Sequence, residues 1–332
     1  MNKLMLLYSG GTIGMQASEQ GLVPTAGFDT RLRARLADEP QRRMPHWLYR
    51  ELQPPIDSAN MTQSNWLTLA EMIVAAVEAD GCDAVLLLHG TDTLAYSAAA
   101  LSFLLLGLGV PVVLTGSMLP AGAPGSDAWA NLFGAVEALQ RGVAPGVHLY
   151  FDGQLLHGAR VSKLRSDAFD AFAVLPRQRR GEPAVALPVA LDYRRPRRPV
   201  NLAVQPFFPG LQAGHLRGLL DSGVQGLLLE CYGSGTGPAG NAELIEVLKE
   251  AHRRGVVLVA ISQCPHGHVE FGVYAAGSRL REAGLIDGGG MTREAALGKL
   301  FALLGAGLDQ AEVERWFVLD LCGERADRGR PS

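Results

Sequence analysis

The chain has 332 residues, 48% of them hydrophobic and 19% charged, with a net charge of -3. That composition supports a large buried core, and length alone points to about two domains. The near-neutral charge gives no global sign of a nucleic-acid binder, and no apolar run approaches the ~20 residues that span a bilayer.

KLMLLYSGGTIGM (3–15) reads as a short buried strand that ends in a glycine-rich turn. Its apolar part, Leu4–Leu7, is too short for a signal-peptide core, so the expectation is a soluble cytoplasmic protein. Residues Gln16 to Thr30 are polar and glycine-bearing and predict a mobile loop. Trp66 to Ala79 has helical spacing. DAVLLLHG (83–90) is a buried strand, and TDTLAYSAAALSFLLLG (91–107) is the helix after it. PVVLTGSMLP (111–120) is a further strand with its loop, DAWANLFGAVEALQRG (127–142) a helix closed by glycine, and GVHLYFDG (146–153) a strand again. Strands that are continuous apolar runs and alternate with helices predict a mostly parallel sheet covered on both faces.

The stretch Pro176–Pro199 carries seven arginines and several prolines, and reads as a solvated connection. Beyond it, VQGLLLECYGSG, a helix from about Asn241 to Arg254, and VVLVAISQ predict a second, smaller α/β unit. The expected division is a large N-terminal α/β domain over 1–188, a linker over 189–200, and a smaller C-terminal domain with a parallel sheet over 201–332. Cys82, Cys231, Cys264 and Cys322 form no CxxC pair and read as buried free thiols.

Ligands of parallel sheets bind beyond the C-terminal strand ends. Three polar clusters stand at such ends: Ser9–Thr12, His89–Thr93 and Thr115–Ser117. SGGTIG lets backbone N–H groups approach a ligand, but it lacks the GxGxxG spacing, and no GxxxxGK[ST] exists in the chain. Thr91–Thr93 has two readings: the N-cap of the following helix, or two hydroxyls and a carboxylate poised for chemistry. Asp92 in that second reading holds a substrate ammonium. A threonine hydroxyl needs a base or relay, and Lys163 in ARVSKLRSDAF is one candidate. Cys264, His266, His268 and Glu270 lie close in sequence, but their spacing matches no familiar zinc pattern.

Taken together, YSGGTIGM, LLHGTDTLAYSA, VVLTGSMLP and KLRSDAFDAF resemble, in order and spacing, the hallmark segments of the bacterial-type L-asparaginases. IDSANMT resembles that family's substrate-binding loop, and GTIGMQASEQG is similar to the cytoplasmic, type I branch. The likeness runs from Leu4 to about Leu321. It implies hydrolysis of L-asparagine to L-aspartate and ammonia, by a homodimer or homotetramer without metal or organic cofactor. By position it makes Thr12 the nucleophile, Thr91 the second catalytic threonine, and Lys163 with Asp92 the polar relay around Thr91. Ser58 and Asp92 bind the two ends of the amino acid, with backbone help from Gly11, Ala59 and Gly90, while Ser117 supports the pocket. A glutaminase-asparaginase, another amidohydrolase, and a non-catalytic amino-acid sensor are the alternatives. Three departures from the pattern stand out. Leu22 occupies the place of the family's lid tyrosine, Asn60 that of a common aspartate, and Glu230 that of an arginine expected in an allosteric member.

Overall fold

A computed structural model describes residues 1–19 and 21–326, which form two compact units divided between Val174 and Leu175. The N-terminal unit comprises strands β1 (Lys3–Gly10), β2 (Met15–Ser18) and β3 (Gly21–Pro24), helix α1 (Phe28–Asp38) and strand β4 (His46–Ile56). It continues with α2 (Gln63–Glu78), β5 (Ala84–Leu88), α3 (Leu94–Leu104), β6 (Pro111–Thr115), α4 (Ala128–Gly142) and β7 (Gly146–Phe151). Three short strands close it: β8 (Gln154–His157), β9 (Val161–Lys163) and β10 (Phe172–Val174).

The main sheet has the order β4-β1-β5-β6-β7-β8, parallel throughout except for the β7–β8 hairpin. Leu4–Tyr8 lie in register with Ala84–Leu88, and every residue of β5 is buried. Side chains alternate across a strand, so an all-apolar run requires cover on both faces. On one face Leu4, Leu6, Tyr8, Leu86 and Leu88 pack with Phe28, Leu132 and Phe133 of α1 and α4. Helix α3 is buried nearly all round, as its mostly apolar sequence demands. Because β1 lies between β4 and β5, the chain reverses direction beside it, and the loops after these strands open a crevice at the C-terminal edge.

Several expectations are corrected. Gln16–Thr30 is not an irregular loop: β2 and β3 pair as an antiparallel hairpin and α1 starts at Phe28. Helix α2 begins before Trp66 because Thr62 and Asn65 form a reciprocal capping box. The helix after β5 begins at Leu94 rather than at Thr91, and Thr93 at its N-cap makes no side-chain cap. The Thr93 hydroxyl donates instead to the Ser58 carbonyl at 2.8 Å. Cys264 is exposed, whereas Cys82 and Cys231 are buried thiols. Among the described residues, no helix is long and apolar enough to cross a membrane.

The C-terminal unit has strands β11 (Leu202–Pro206), β12 (Gly226–Cys231), β13 (Val257–Ser262) and β14 (Leu285–Asp287) in one parallel sheet of that order. Helices α5 (Ala213–Asp221), α6 (Ala242–Arg253), α7 (Ala275–Glu282), α8 (Arg293–Gly305) and α9 (Gln310–Phe317) surround it. Arg177 and Arg179, read from sequence as solvated, are buried here. Carbonyl oxygens make this possible: Arg177 donates to Met291 and Ser262 at 3.0 and 3.1 Å, and Arg179 to Leu175 and Arg177. Glu230 forms a bidentate pair with Arg293 at 2.6 and 2.9 Å.

Lys299 on α8 and Glu324 form an ion pair with both side chains wholly buried. Burial works to raise the Glu324 carboxyl, but Lys299 beside it and the N–H groups of Cys322 and Leu321 outweigh that and hold it down to about 2. A depressed carboxylate contributes stability above its unfolded value, and loses it as pH falls from about 4.5 toward about 2. Lys299→Met strands the Glu324 charge, and is expected to cost about 3–5 kcal/mol at neutral pH. Urea unfolding at pH 7 and near pH 2.5 checks this; the deficit should shrink at the acid end, and an equal loss at both would contradict it.

Candidate active site

Four loops meet at the C-terminal edge of the N-terminal sheet. After β1 the chain passes Gly11 into a single 3-10 turn, Thr12–Gly14. After β4 comes a second 3-10 turn, Ser58–Asn60, capped by the Asp57 side chain. His89–Thr93 follow β5, and Gly116–Leu119 follow β6.

Glycine is required where these loops touch. Gly11 has a φ of 85°, and a Cβ there would stand 2.2 Å from the Gly90 nitrogen. A Cβ on Gly90 would stand 2.5 Å from Ser58 Oγ. The backbones of the first and second motifs are therefore in direct contact. That contact brings Thr12, Ser58 and Thr91, each on or next to one of these glycine contacts, to one small region.

The centre of the site is a lysine shared by two neighbours. Lys163, the last residue of β9, donates to Thr91 Oγ1 at 2.9 Å and to Asp92 Oδ1 at 2.8 Å. Thr91 is buried, Lys163 keeps 20% of its side chain exposed, and Asp92 63%. Because Thr91 Oγ1 accepts from Lys163, its own proton is free to point elsewhere. Among the described residues, neither the Thr91 nor the Asp92 N–H has a protein acceptor.

The remaining candidates differ in how committed they are. Ser58 is buried against Gly90, whereas Ala59 is exposed and its N–H is engaged by Asp57 at 3.2 Å. Ser117 is fully buried and its hydroxyl donates to the Leu119 carbonyl, so it shapes the loop. Asp127 holds the same loop by accepting from Met118 and Leu119 N–H.

Leu22 lies on β3 and is half exposed. Beneath the hairpin sits Tyr8, whose hydroxyl donates to the Thr25 carbonyl at 3.2 Å. Arg31 clamps the hairpin's two ends, donating to the Gly14 and Thr25 carbonyls at 3.0 and 3.3 Å. Burial, offset in part by Arg31, pushes the Tyr8 phenol up to about 12. Tyr8 therefore stays protonated at neutral pH and supplies no base at this turn.

One residue that the motifs did not single out also belongs to this region. His89 is fully buried, with Nδ1 2.8 Å from the Gly90 carbonyl and Nε2 2.8 Å from Ser97 Oγ. The only signal in the sequence is a histidine that closes an apolar strand.

A two-unit α/β chain with a threonine–lysine–aspartate cluster at a parallel-sheet edge defines a class of site suited to polar group transfer. Comparison with known proteins makes the class specific. Residues 3–187 match the family Asparaginase, N-terminal, and residues 201–317 match the Glutaminase/Asparaginase C-terminal domain. The chain belongs to the asparaginase family. It is 38% identical over 331 residues to L-asparaginase 1 of Escherichia coli, covering 97% of each chain. It superposes on the crystal structure of L-asparaginase I from Vibrio cholerae with a TM-score of 0.82, at 34% identity and over 98% and 99% of the two chains. For the thermostable L-asparaginase of Thermococcus kodakarensis the TM-score is 0.84, at 32% identity and with the same coverage.

Proposed function

We propose that this protein hydrolyses the side-chain amide of L-asparagine, giving L-aspartate and ammonia. The observation that carries the reading is the Lys163 ammonium in contact with both Thr91 Oγ1 and Asp92 Oδ1, beside the turn that bears Thr12. Family membership over nearly the whole chain supports it.

Thr12 Oγ attacks the amide carbon, its proton passing to Thr91 Oγ1 in place of the one that Thr91 gives to the departing nitrogen, and the carbonyl π electrons move onto oxygen. The resulting oxyanion needs N–H donors fixed in advance, and the Thr91 and Asp92 N–H groups are uncommitted. The C–N bond breaks as the nitrogen takes a proton from the Thr91 hydroxyl, which Lys163 polarises. Water then attacks the Thr12 ester, the bond from carbon to Thr12 Oγ breaks, and one water proton passes through the Thr91 hydroxyl to Thr12 Oγ as L-aspartate is released. Asp92 pairs with the substrate ammonium through the carboxylate oxygen that Lys163 does not hold. Ser58, against Gly90, takes the α-carboxylate with Gly11 and Gly90 backbone beside it. The protein works in the cytoplasm as a homodimer or homotetramer, with no metal or organic cofactor.

Ammonia release by purified protein from L-asparagine, L-glutamine and D-asparagine tests the reading. Asparagine is expected to lead in kcat/KM. One extra methylene changes discrimination by about 10–200-fold, so comparable rates on glutamine would make the protein a glutaminase-asparaginase. Calorimetric binding of aspartate with no ammonia from any substrate would overturn the enzymatic reading in favour of a sensor.

A further inference from the structure

A line of hydrogen bonds runs behind the His89–Thr93 loop, away from the pocket. Trp66 Nε1 of α2 donates to Ser97 Oγ of α3 at 2.8 Å. Ser97 Oγ meets His89 Nε2 at 2.8 Å, and His89 Nδ1 meets the Gly90 carbonyl at 2.8 Å. Both Ser97 and His89 are completely buried.

The direction of every bond in this line is forced. A carbonyl only accepts, so Nδ1 carries the imidazole proton. In the neutral ring Nε2 is then bare and accepts from the Ser97 hydroxyl. Ser97 Oγ in turn accepts from the indole, which only donates. Burial, against the opposing pull of the Gly90 carbonyl, pushes the imidazole down to about 4, so the ring is neutral at physiological pH.

The Gly90 carbonyl and the Thr91 N–H share one trans peptide plane and point in opposite directions. Holding the carbonyl on a buried ring therefore fixes the heading of the Thr91 N–H away from that ring. We infer that His89, held by Ser97 and Trp66, is a positioning residue that aims the Thr91 N–H at the oxyanion of the amide reaction. The inference rests on the reading of the site as an amide hydrolase. His89 itself touches no substrate. It acts through the Gly90–Thr91 peptide, and on the transition state more than on the bound substrate.

Three variants and one spectrum test it. His89→Leu removes the donor to Gly90, and is expected to lower kcat for asparagine about a hundred-fold, with KM and aspartate affinity within about three-fold. His89→Asn places an amide N–H near the position of Nδ1, and is expected to restore kcat to within about ten-fold of the parent. A purely structural histidine would give equal kcat per folded molecule in both variants, or a change in KM, and either result overturns the inference. If His89→Leu does not fold, Ser97→Ala replaces it, with an expected kcat loss of about ten-fold; unchanged kcat there overturns the inference. Nitrogen-15 spectra of the parent's His89 ring between pH 6 and 8 should show a protonated Nδ1 and a bare Nε2. The opposite tautomer overturns the relay whether or not the protein releases ammonia, which separates failure of this inference from failure of the proposed activity.

Discussion

Thr12→Ala and Thr91→Val should each lower kcat for asparagine by about a thousand-fold or more while leaving the protein folded and able to bind L-aspartate. The two losses have different origins. Thr12 sits partly exposed on the 3-10 turn, where removing a hydroxyl disturbs no packing. Alanine there removes the group that would form the ester, and loss of a nucleophile is among the largest single effects in catalysis. Thr91 is buried, and valine keeps its shape and its backbone N–H while deleting only the hydroxyl. The oxyanion donors then survive, but Lys163 loses the acceptor 2.9 Å away and the departing nitrogen loses its proton source. Because the two groups act on one reaction, their effects should not add, and a double variant should be little worse than the weaker single one. Full ammonia release by both single variants would remove these roles.

The parallel sheet was legible because β1, β5 and β6 are apolar on both faces, a pattern that only two-sided cover allows. Three of the clusters at strand ends followed from the same reading, since ligands gather where those strands stop. The partner of Thr91 was not readable from spacing. Lys163 lies 72 residues away; the sequence offered it as one candidate base, and the family likeness alone tied it to Thr91. The β2–β3 hairpin escaped because its residues are mostly exposed and show no apolar alternation. Strand β4 escaped for a related reason: it is a sheet-edge strand, half-buried, with Arg50 and Glu51 in its middle. Arg177 misled because its acceptors are the carbonyls of Ser262 and Met291, and backbone acceptors leave no trace in composition. His89 shows the same limit in the site itself, as it is held through Ser97 on α3, which Trp66 on α2 holds in turn, and its role depends on which ring nitrogen holds the proton.

Lys163→Met separates catalysis from stability most sharply. Lys163 pairs with Asp92, but that carboxylate is 63% exposed. Solvent screens such a pair, and exposed pairs contribute about 0–1 kcal/mol. Thermal unfolding of Lys163→Met should therefore shift by only a few degrees at most. Activity should fall far more, by about a hundred- to a thousand-fold in kcat, because a positioned proton-transfer partner is worth that much in the transition state. Methionine keeps the length and apolar stem of the lysine while deleting the ammonium, so Thr91 Oγ1 loses its donor without a cavity opening behind it. Asp92 is freed from its partner by the same change, and its affinity for the substrate ammonium should hold or rise, leaving KM level or lower. A large fall in kcat with a steady KM and melting temperature is the signature of a group that acts on the reaction. A parallel fall in stability would instead make Lys163 a strut between β9 and the β5 loop, and unchanged kcat would take it out of the relay.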